Sequence, residues 1–344
     1  MFLRNAWYVF GWVNELDKST APVGRVILGE PVVVWRDLRG NLHAMENRCP
    51  HRHTPLSMGR VEGEHLICMY HGMTFDTQGR CVSVPLMEAV PQCRIRVYPV
   101  VAQDSWIWIW MGDPELANKG EIPRAFGLDS PGRQMRAHSI EYEAHYQLIH
   151  DNLCDLSHVD YVHAGTLKVA TGADWSLSAP RITPRNNGIR LERWFEGAFL
   201  PGNQNLQVDV WSSYEFIVPG IFIMQASRFP FGTAEKFAGK APSGIDPIIS
   251  NVEQQAVTPI SPTRTAYHYA TGFVGESNQI AGKVLKRMEV VMAAFEEDRK
   301  IIEAQQKIWD LTPSYTKMLF LPQDKGPYLM RKLMQRLIDR EQGT

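Results

Sequence analysis

Apolar residues along this chain come first in short runs broken by turn residues and later in longer stretches, a pattern that changes its period from two to three and four. Over the first hundred-odd residues the runs predict short strands. Arg25–Leu28 and Val32–Trp35 flank a Gly-Glu-Pro turn, and Leu38-Arg39-Gly40-Asn41 makes another. Arg94–Val101 and Trp106–Trp110 read as a hairpin over Gln103-Asp104-Ser105. Trp106, Trp108 and Trp110 fall on one face and Ile107 and Ile109 on the other, so both faces of that strand are expected to be covered. Met111-Gly112-Asp113-Pro114 stops it, and Asn118–Pro123 reads as a link to a second domain. Beyond the link, a strand near Ser139–Ala144 leads into a helix from about Tyr146. Strands follow over Ile182–Phe195, Leu206–Phe216, Gly220–Phe229 and Thr263–Phe273, and two helices over Gln279–Trp309 and Tyr328–Arg340 close the series. Strands followed by helices predict an α+β domain whose antiparallel sheet is gripped by the long C-terminal helix, behind an all-β domain; the boundaries expected are 1–117 and 118–344.

Composition changes this picture little. With 344 residues, two domains are comfortable. A hydrophobic share of 44% and a charged share of 21% are those of a globular protein. A net charge of -1, without a basic field or a polybasic run, argues against nucleic acid and against a membrane surface as partners. The longest apolar run, Phe216–Met224, is too short to span a bilayer and contains Pro219-Gly220. Met1–Trp12 is apolar but short and is followed by Glu15 and Asp17, so a signal peptide is not expected. Five cysteines, an odd number, fit a reducing cytoplasm better than a disulfide scaffold.

Two constellations carry the chemistry. The first is Cys49-Pro50-His51-Arg52-His53 and, after sixteen residues beyond His51, Cys68-Met69-Tyr70-His71-Gly72. Each arm offers one thiolate and one imidazole. Such arms suit a two-iron, two-sulfide cluster with both thiolates on one iron and both imidazoles on the other, the Rieske arrangement, whose neutral imidazoles raise the reduction potential. Structural zinc is the competing reading, but zinc arms usually pair Cys with Cys and His with His. Pro50 and Gly72 favour tight loops with ligands at the tip; His53 and His65 are spare by spacing.

The second constellation is Asn152-Leu-Cys-Asp155-Leu-Ser-His158-Val159-Asp-Tyr-Val-His163. The two histidines are five apart, off-register for a straight helix, and can converge if the helix loosens near Val159. A carboxylate would complete a face of two histidines and one acid that leaves open positions on iron. The long helix offers Glu296, Glu297 and Asp298. Val284, Met288, Val291, Phe295, Asp298 and Ile302 share one helix face, so Asp298 interrupts an apolar stripe, Glu296 is polar-side and Glu297 marginal. A buried acid needs a partner; a metal is one, and an arginine such as Arg264 is the alternative.

Together the segments Cys49-Pro-His-Arg to Cys68-x-x-His71-Gly, Asn152-x-x-Asp155-x-x-His158-x4-His163 and Asp298 resemble the Rieske non-heme iron oxygenases, nearest the vanillate O-demethylase and dicamba monooxygenase branch. Arg4–Val9, Trp108–Pro114 and Leu321–Lys325 also resemble that branch, so the likeness covers nearly the whole chain. The resemblance implies an N-terminal Rieske domain and a helix-grip, START-like catalytic domain. It implies that Cys49, His51, Cys68 and His71 hold a [2Fe-2S] cluster and that His158, His163 and Asp298 hold mononuclear iron(II). It implies that Asp155 bridges His158 to a cluster histidine, His71, of a neighbouring subunit, that Asn152 supports the ligands, and that the chain forms a homotrimer. Thr54 and Tyr70 stand about where respiratory-type Rieske proteins carry a disulfide.

The same resemblance implies an oxygenase component fed by NADH through a flavin and iron–sulfur reductase, with dioxygen as co-substrate. The expected reaction is hydroxylation of a methyl group of an aromatic substrate, above all oxidative O-demethylation to a phenol and formaldehyde. Ring dihydroxylation, or attack on a C-methyl or N-alkyl group, are rivals within the class. An electron-transfer Rieske protein would need no second metal and fewer residues, and a ligand-binding module would lack the acid at Asp298. Residues of Trp211–Phe231, among them Phe216, Ile221, Phe222 and Met224, are candidates for the substrate pocket or for plain sheet core, and no arginine stands out as a partner for a substrate carboxylate.

Overall fold

A computed structural model describes residues 1–17, 21–128, 133–200, 203–274 and 279–343. The chain divides into two compact units, Met1–Arg124 with Thr258–Pro262, and Ala125–Val257 with Thr263–Thr344. The residues expected to link the domains, Asn118–Pro123, thus belong to the first unit, where Trp7 Nε1 donates to Asn118 O at 2.9 Å.

The first unit carries a short helix, α1 (Val13–Asp17), and ten strands: β1 (Trp7–Trp12), β2 (Val23–Ile27), β3 (Glu30–Arg36), β4 (Leu42–Glu46), β5 (Arg60–Glu62), β6 (His65–Ile67), β7 (Thr74–Phe75), β8 (Cys81–Ser83), β9 (Val100–Gln103) and β10 (Trp106–Trp110). They form sheets in the orders β1-β10-β9, β2-β3-β4 and β5-β6-β7-β8. Every residue of β10 is at most 3% exposed, so both faces are covered, as the Trp/Ile alternation predicts. The apolar Trp7–Trp12 segment supplies the neighbour: Trp7 faces Trp110 and Trp12 faces Trp106, with ring centroids 5.5 and 5.6 Å apart. The β9–β10 turn uses two left-handed residues, Asp104 (φ 52) and Ser105 (φ 67), whose twist matches that of the strands. The hairpin's first arm is shorter than expected. Arg94–Tyr98 forms no named strand and pairs through the isolated bridges Met45↔Val97 and Arg80↔Arg94, and Pro99 has no N–H to extend the ladder.

The second unit contains β11 (Arg133–Tyr142), α2 (Tyr146–Cys154), α3 (Leu167–Thr171), β12 (Arg181–Arg185), β13 (Gly188–Leu200), β14 (Asn203–Ile217), β15 (Ile221–Pro230), α4 (Thr233–Phe237), β16 (Ile249–Ser261), β17 (Arg264–Val274), α5 (Gln279–Leu311) and α6 (Lys325–Gln342). Its sheet runs β11-β17-β16-β15-β14-β13-β12, a meander closed on one side by β11, which pairs antiparallel to β17. The stretch expected as one strand over Ile182–Phe195 is two, because Asn186-Asn187-Gly188 turns the chain. The long helix α5 packs on β11 and β17. There Phe295 lies between Tyr267 and Tyr269, at 5.1 and 4.6 Å between centroids, a burial worth about 2 kcal/mol of transfer free energy. The predicted stripe Val284, Met288, Val291, Phe295, Asp298 and Ile302 is buried throughout.

Sequence patterning misses β16 for a physical reason. Its buried residues include Asn251, Glu253, Gln254 and Gln255, so the alternation of apolar and polar residues that marks a half-buried strand is absent. Among the described residues, no helix is long and apolar enough to cross a membrane.

Candidate metal centres

The first constellation occupies two loops of matching design. Cys49 N–H donates to Thr54 O and His53 N–H to Cys49 O; Cys68 N–H donates to Met73 O and Gly72 N–H to Cys68 O. Each loop turns through a left-handed fifth residue, His53 (φ 56) in one and Gly72 (φ 73) in the other. His53 is thereby a turn residue on the surface, and His65 opens β6. The loops bury Cys49 and Cys68 and expose His51 and His71, whose ring centroids lie 4.6 Å apart. Burial pushes the Cys49 thiol up to about 11, and neighbouring Cys68 adds to the shift. Two buried sulfurs and two adjacent surface imidazoles fit a [2Fe-2S] group, which these four residues would hold.

The second constellation lies where α2 ends. His145 caps α2, its Nδ1 accepting from Gln147 N–H, and Cys154 closes it. A 3-10 turn over Leu156–Asp160 then takes His158 off the helical register, and His163 follows in a further turn. This loosening brings the two rings to 5.2 Å between centroids. Asp298 arrives from α5: its Oδ2 is 3.2 Å from His163 Nε2 and its Oδ1 3.6 Å from His158 Nε2. One ligand atom from each of the three lies within 4.8 Å of the others.

Both imidazoles are anchored from behind. His158 Nδ1 is 2.7 Å from Asp155 O, and His163 Nδ1 is 2.8 Å from Glu297 Oε2. With Nδ1 held by an acceptor, each ring keeps Nε2 for the common point. Burial pulls His163 down, but Asp298 and Glu297 on its two nitrogens outweigh it and the net shift is upward. Two carboxylates around an imidazole that is 1% exposed make a pocket of negative charge that calls for a cation. The donor set, two imidazoles and one acid, suits iron(II).

Three expectations change here. Asp155 does not offer its carboxylate to His158. That group caps the 3-10 turn, accepting from Ser157 N–H at 2.9 Å and Ser157 Oγ at 3.0 Å, and the main-chain oxygen takes His158 instead. The free N–H groups of a helix start are the nearest donors to an acid at the cap. Arg264 is no partner for Asp298, since it pairs with Glu141 and Glu143. Glu297 lies at the margin of the helix face, as expected, but it takes part in the site: it holds both His163 and Thr166 Oγ1, each at 2.8 Å. Helical periodicity flags neither, because Glu297 acts from the rim of the helix face and Thr166 from the loop before α3. Asn152 Nδ2 donates to Asp298 Oδ1 at 2.9 Å and lies 3.4 Å from His158 Nε2.

A cavity opens beside the three residues, walled by one face of the sheet. From β15 come Phe222, Met224, Ala226 and Arg228, and from β16 Asn251, Glu253 and Gln255, each series spaced by two. Of the pocket candidates read from sequence, Phe222 and Met224 line it. Phe216 is core, stacked on His150 at 5.3 Å and on Phe222 at 5.2 Å, and Ile221 is buried.

A Rieske [2Fe-2S] domain matches residues 6–99 and the vanillate O-demethylase oxygenase C-terminal domain matches residues 142–340. The toluene-4-sulfonate monooxygenase system iron-sulfur subunit of Comamonas testosteroni is 34% identical, over 100% of this chain and 99% of its own length. The dicamba O-demethylase oxygenase component of Stenotrophomonas maltophilia is 30% identical over 88% of this chain and 91% of its own. The crystal structure of dicamba monooxygenase bound to dicamba superposes with a TM-score of 0.86 at 28% identity, covering 100% of this chain and 99% of the other. The chain therefore belongs to the Rieske non-heme iron oxygenases, in the group that holds the vanillate and dicamba O-demethylase oxygenase components.

Proposed function

We propose that this oxygenase component hydroxylates a methyl group of an aromatic substrate, and that the group is the O-methyl of an aryl ether. The observation that carries the reading is the meeting of His158, His163 and Asp298 at the wall of a largely apolar cavity. Cys49, His51, Cys68 and His71 would hold the [2Fe-2S] group and His158, His163 and Asp298 iron(II), which when bound supplies dioxygen activation with electrons delivered one at a time. The chain's own residues do the rest. Glu297 and the Asp155 carbonyl fix the imidazole tautomers, and Asn152 fixes the Asp298 carboxylate. Leu156, Val159 and Phe222 exclude water from the ring of the substrate.

Electrons come from NADH through a separate reductase with flavin and iron–sulfur groups. For an aryl methyl ether, substrate, dioxygen, NADH and one proton give phenol, formaldehyde, NAD+ and water, since the hydroxylated methyl is a hemiacetal that collapses. We read the first unit, Met1–Arg124 with Thr258–Pro262, as the electron-receiving one and the second as the catalytic one. A homotrimer with His71 of one chain facing Asp155 of the next is the assembly we infer. An exposed apolar stretch with Leu311, Tyr315, Met318, Leu319 and Phe320 supports an interface in the assembled enzyme. Five cysteines without a disulfide support a cytoplasmic setting. A second reading, hydroxylation of an aromatic C-methyl group, is favoured by the 34% relative named for toluene-4-sulfonate.

Oxygen uptake and product analysis across methoxylated, C-methylated and N-methylated aromatics, with reductase and NADH, test these readings. Formaldehyde with a phenol supports the first and a benzylic alcohol the second. A cis-diol, or oxygen uptake with no product from any of the three series, overturns both.

A further inference from the structure

In the cavity wall stands a charge with no counter-charge among the described residues. Arg228 is 3% exposed, and its side chain makes one hydrogen bond among the described residues, Nη1 to Asn251 Oδ1 at 2.9 Å. Its Nε meets no acceptor. The other cavity arginine, Arg287, is already satisfied, held by Glu253 and by Thr271 Oγ1. Glu253 cannot serve both. It pairs in register with Met224, four residues along β15 from Arg228, roughly 13 Å at strand rise. Burial and the neighbouring charge of Arg287 pull the Arg228 guanidinium down to about 10, so it remains a cation at neutral pH.

Two further donors nearby are equally unmatched. Ser212 Oγ and Trp175 Nε1 are buried without a partner among the described residues, and both residues line the cavity. Sheet register groups them with Arg228. Val210 pairs with Arg228 on one side and with Phe195 on the other, and Trp175 stacks on Phe195 at 4.6 Å. Ser212 is two residues on from Val210, on the same sheet face. A buried cation and two idle donors in the wall of a mainly apolar cavity are costly unless something that accepts hydrogen bonds and carries negative charge arrives there. With Nη1 engaged, the guanidinium keeps the Nε edge, which binds a planar or tetrahedral oxyanion through two N–H groups.

We propose that Arg228, with Ser212 and Trp175, is an anion anchor, and that the substrate is an aromatic acid whose carboxylate or sulfonate docks there while its methyl-bearing end reaches His158, His163 and Asp298. The proposal rests on the cavity being the substrate cavity, as read above, but it is a statement about binding and is tested by binding.

Calorimetric titration of the holoenzyme with 4-methylbenzoate, 4-methylbenzenesulfonate and their neutral amides, 4-methylbenzamide and 4-methylbenzenesulfonamide, decides it. At least one anion binds about tenfold or more tighter than its own amide. Which anion gains more identifies the oxyanion. Arg228→Gln loses about thirtyfold or more for that anion and little for the amide. The melting midpoint of ligand-free Arg228→Gln, with its iron content checked, is equal to or above that of wild type, because the variant sheds an uncompensated buried charge; a merely structural arginine would lower it. Amides that bind as well as the anions, no binding by either anion, or an Arg228→Gln variant with unchanged anion affinity overturn the anchor. Turnover separates this from the functional reading. If methoxy-, C-methyl and N-methyl acids all bind through Arg228 and none is oxidised, the anchor stands and the methyl-hydroxylation reading is removed. Methoxyarenes turned over without charge preference do the reverse.

Discussion

Asp298 and Glu297 are adjacent in the chain and take different parts in the same site. Asp298 faces the Nε2 atoms of both histidines, while Glu297 holds His163 from the far side through Nδ1. Asp298→Ala should therefore lose the mononuclear iron while the cluster's two irons and its visible spectrum survive, as should His158→Ala and His163→Ala. Glu297→Gln should keep the iron but bind it about 10- to 100-fold more weakly, the range found when the acceptor behind a metal-bound histidine is removed. Iron analysis and a competition titration with a chelator check both, and full iron retention at wild-type affinity in Glu297→Gln would remove Glu297 from the site. A third residue acts through stability. His150 is wholly buried among Tyr146, Phe216 and Phe222 without a hydrogen-bond partner among the described residues, and burial, with His145 adding to it, pulls its imidazole down to about 3. The folded value is below the unfolded one, so the unfolded chain binds a proton that the folded chain refuses. The stability this histidine allows is present above about pH 6.5 and is lost as pH falls towards 3. His150→Phe should lose about 1.4 kcal/mol less stability than wild type between about pH 7.5 and pH 5.5. Denaturant midpoints at the two pH values measure the difference.

At the scale of elements, the two thiol–imidazole loops depend on their left-handed turns. Gly72 has φ 73, and a Cβ there would lie 2.8 Å from Pro85 Cγ. Gly72→Ala thus combines a backbone cost of about 1–2 kcal/mol with a collision beside His71. Gly63 is the control: its φ is 63, but nothing lies within 4 Å of its added Cβ. Gly72→Ala should lower cluster occupancy, read from visible absorbance per chain, and Gly63→Ala should leave it near wild type. Equal occupancy in both would show that the loop tolerates the turn without glycine.

At the scale of the whole molecule, the open question is how the two metal centres communicate. Asp155 caps the 3-10 turn with its carboxylate and holds His158 with its carbonyl. Asp155→Asn preserves the capping acceptor and the carbonyl but removes the charge. If that charge faces His71 of a neighbouring chain, Asp155→Asn binds all its iron, reduces its cluster normally and turns over at least about tenfold more slowly. Mixing a His71→Ala chain with a His158→Ala chain should restore activity that neither has alone. A fully active monomer, or no rescue once subunit exchange is proven, would reject the route between chains.

The sequence by itself determined the local parts. The paired Cys-x-His and Cys-x2-His arms, the alternating tryptophans of β10 and the apolar stripe of α5 interrupted by Asp298 are each set by spacing along one element, so each is legible from the chain alone. Tertiary structure decided whatever depends on residues far apart. Glu297 matters only because a loop 134 residues earlier brings His163 to it. The strand β16 is hidden in the sequence because its inward residues are polar, and they are polar because they wall a cavity, which one strand cannot disclose. Arg228 looks in the sequence like any arginine near a strand end. Only the register of β13, β14 and β15, which gathers it with Ser212 and Trp175 and leaves Glu253 to Arg287, makes it a buried charge awaiting an anion. Spacing along a backbone fixes which residues share a face; which faces meet, and which charges are left unpaired when they do, is a property of the folded chain.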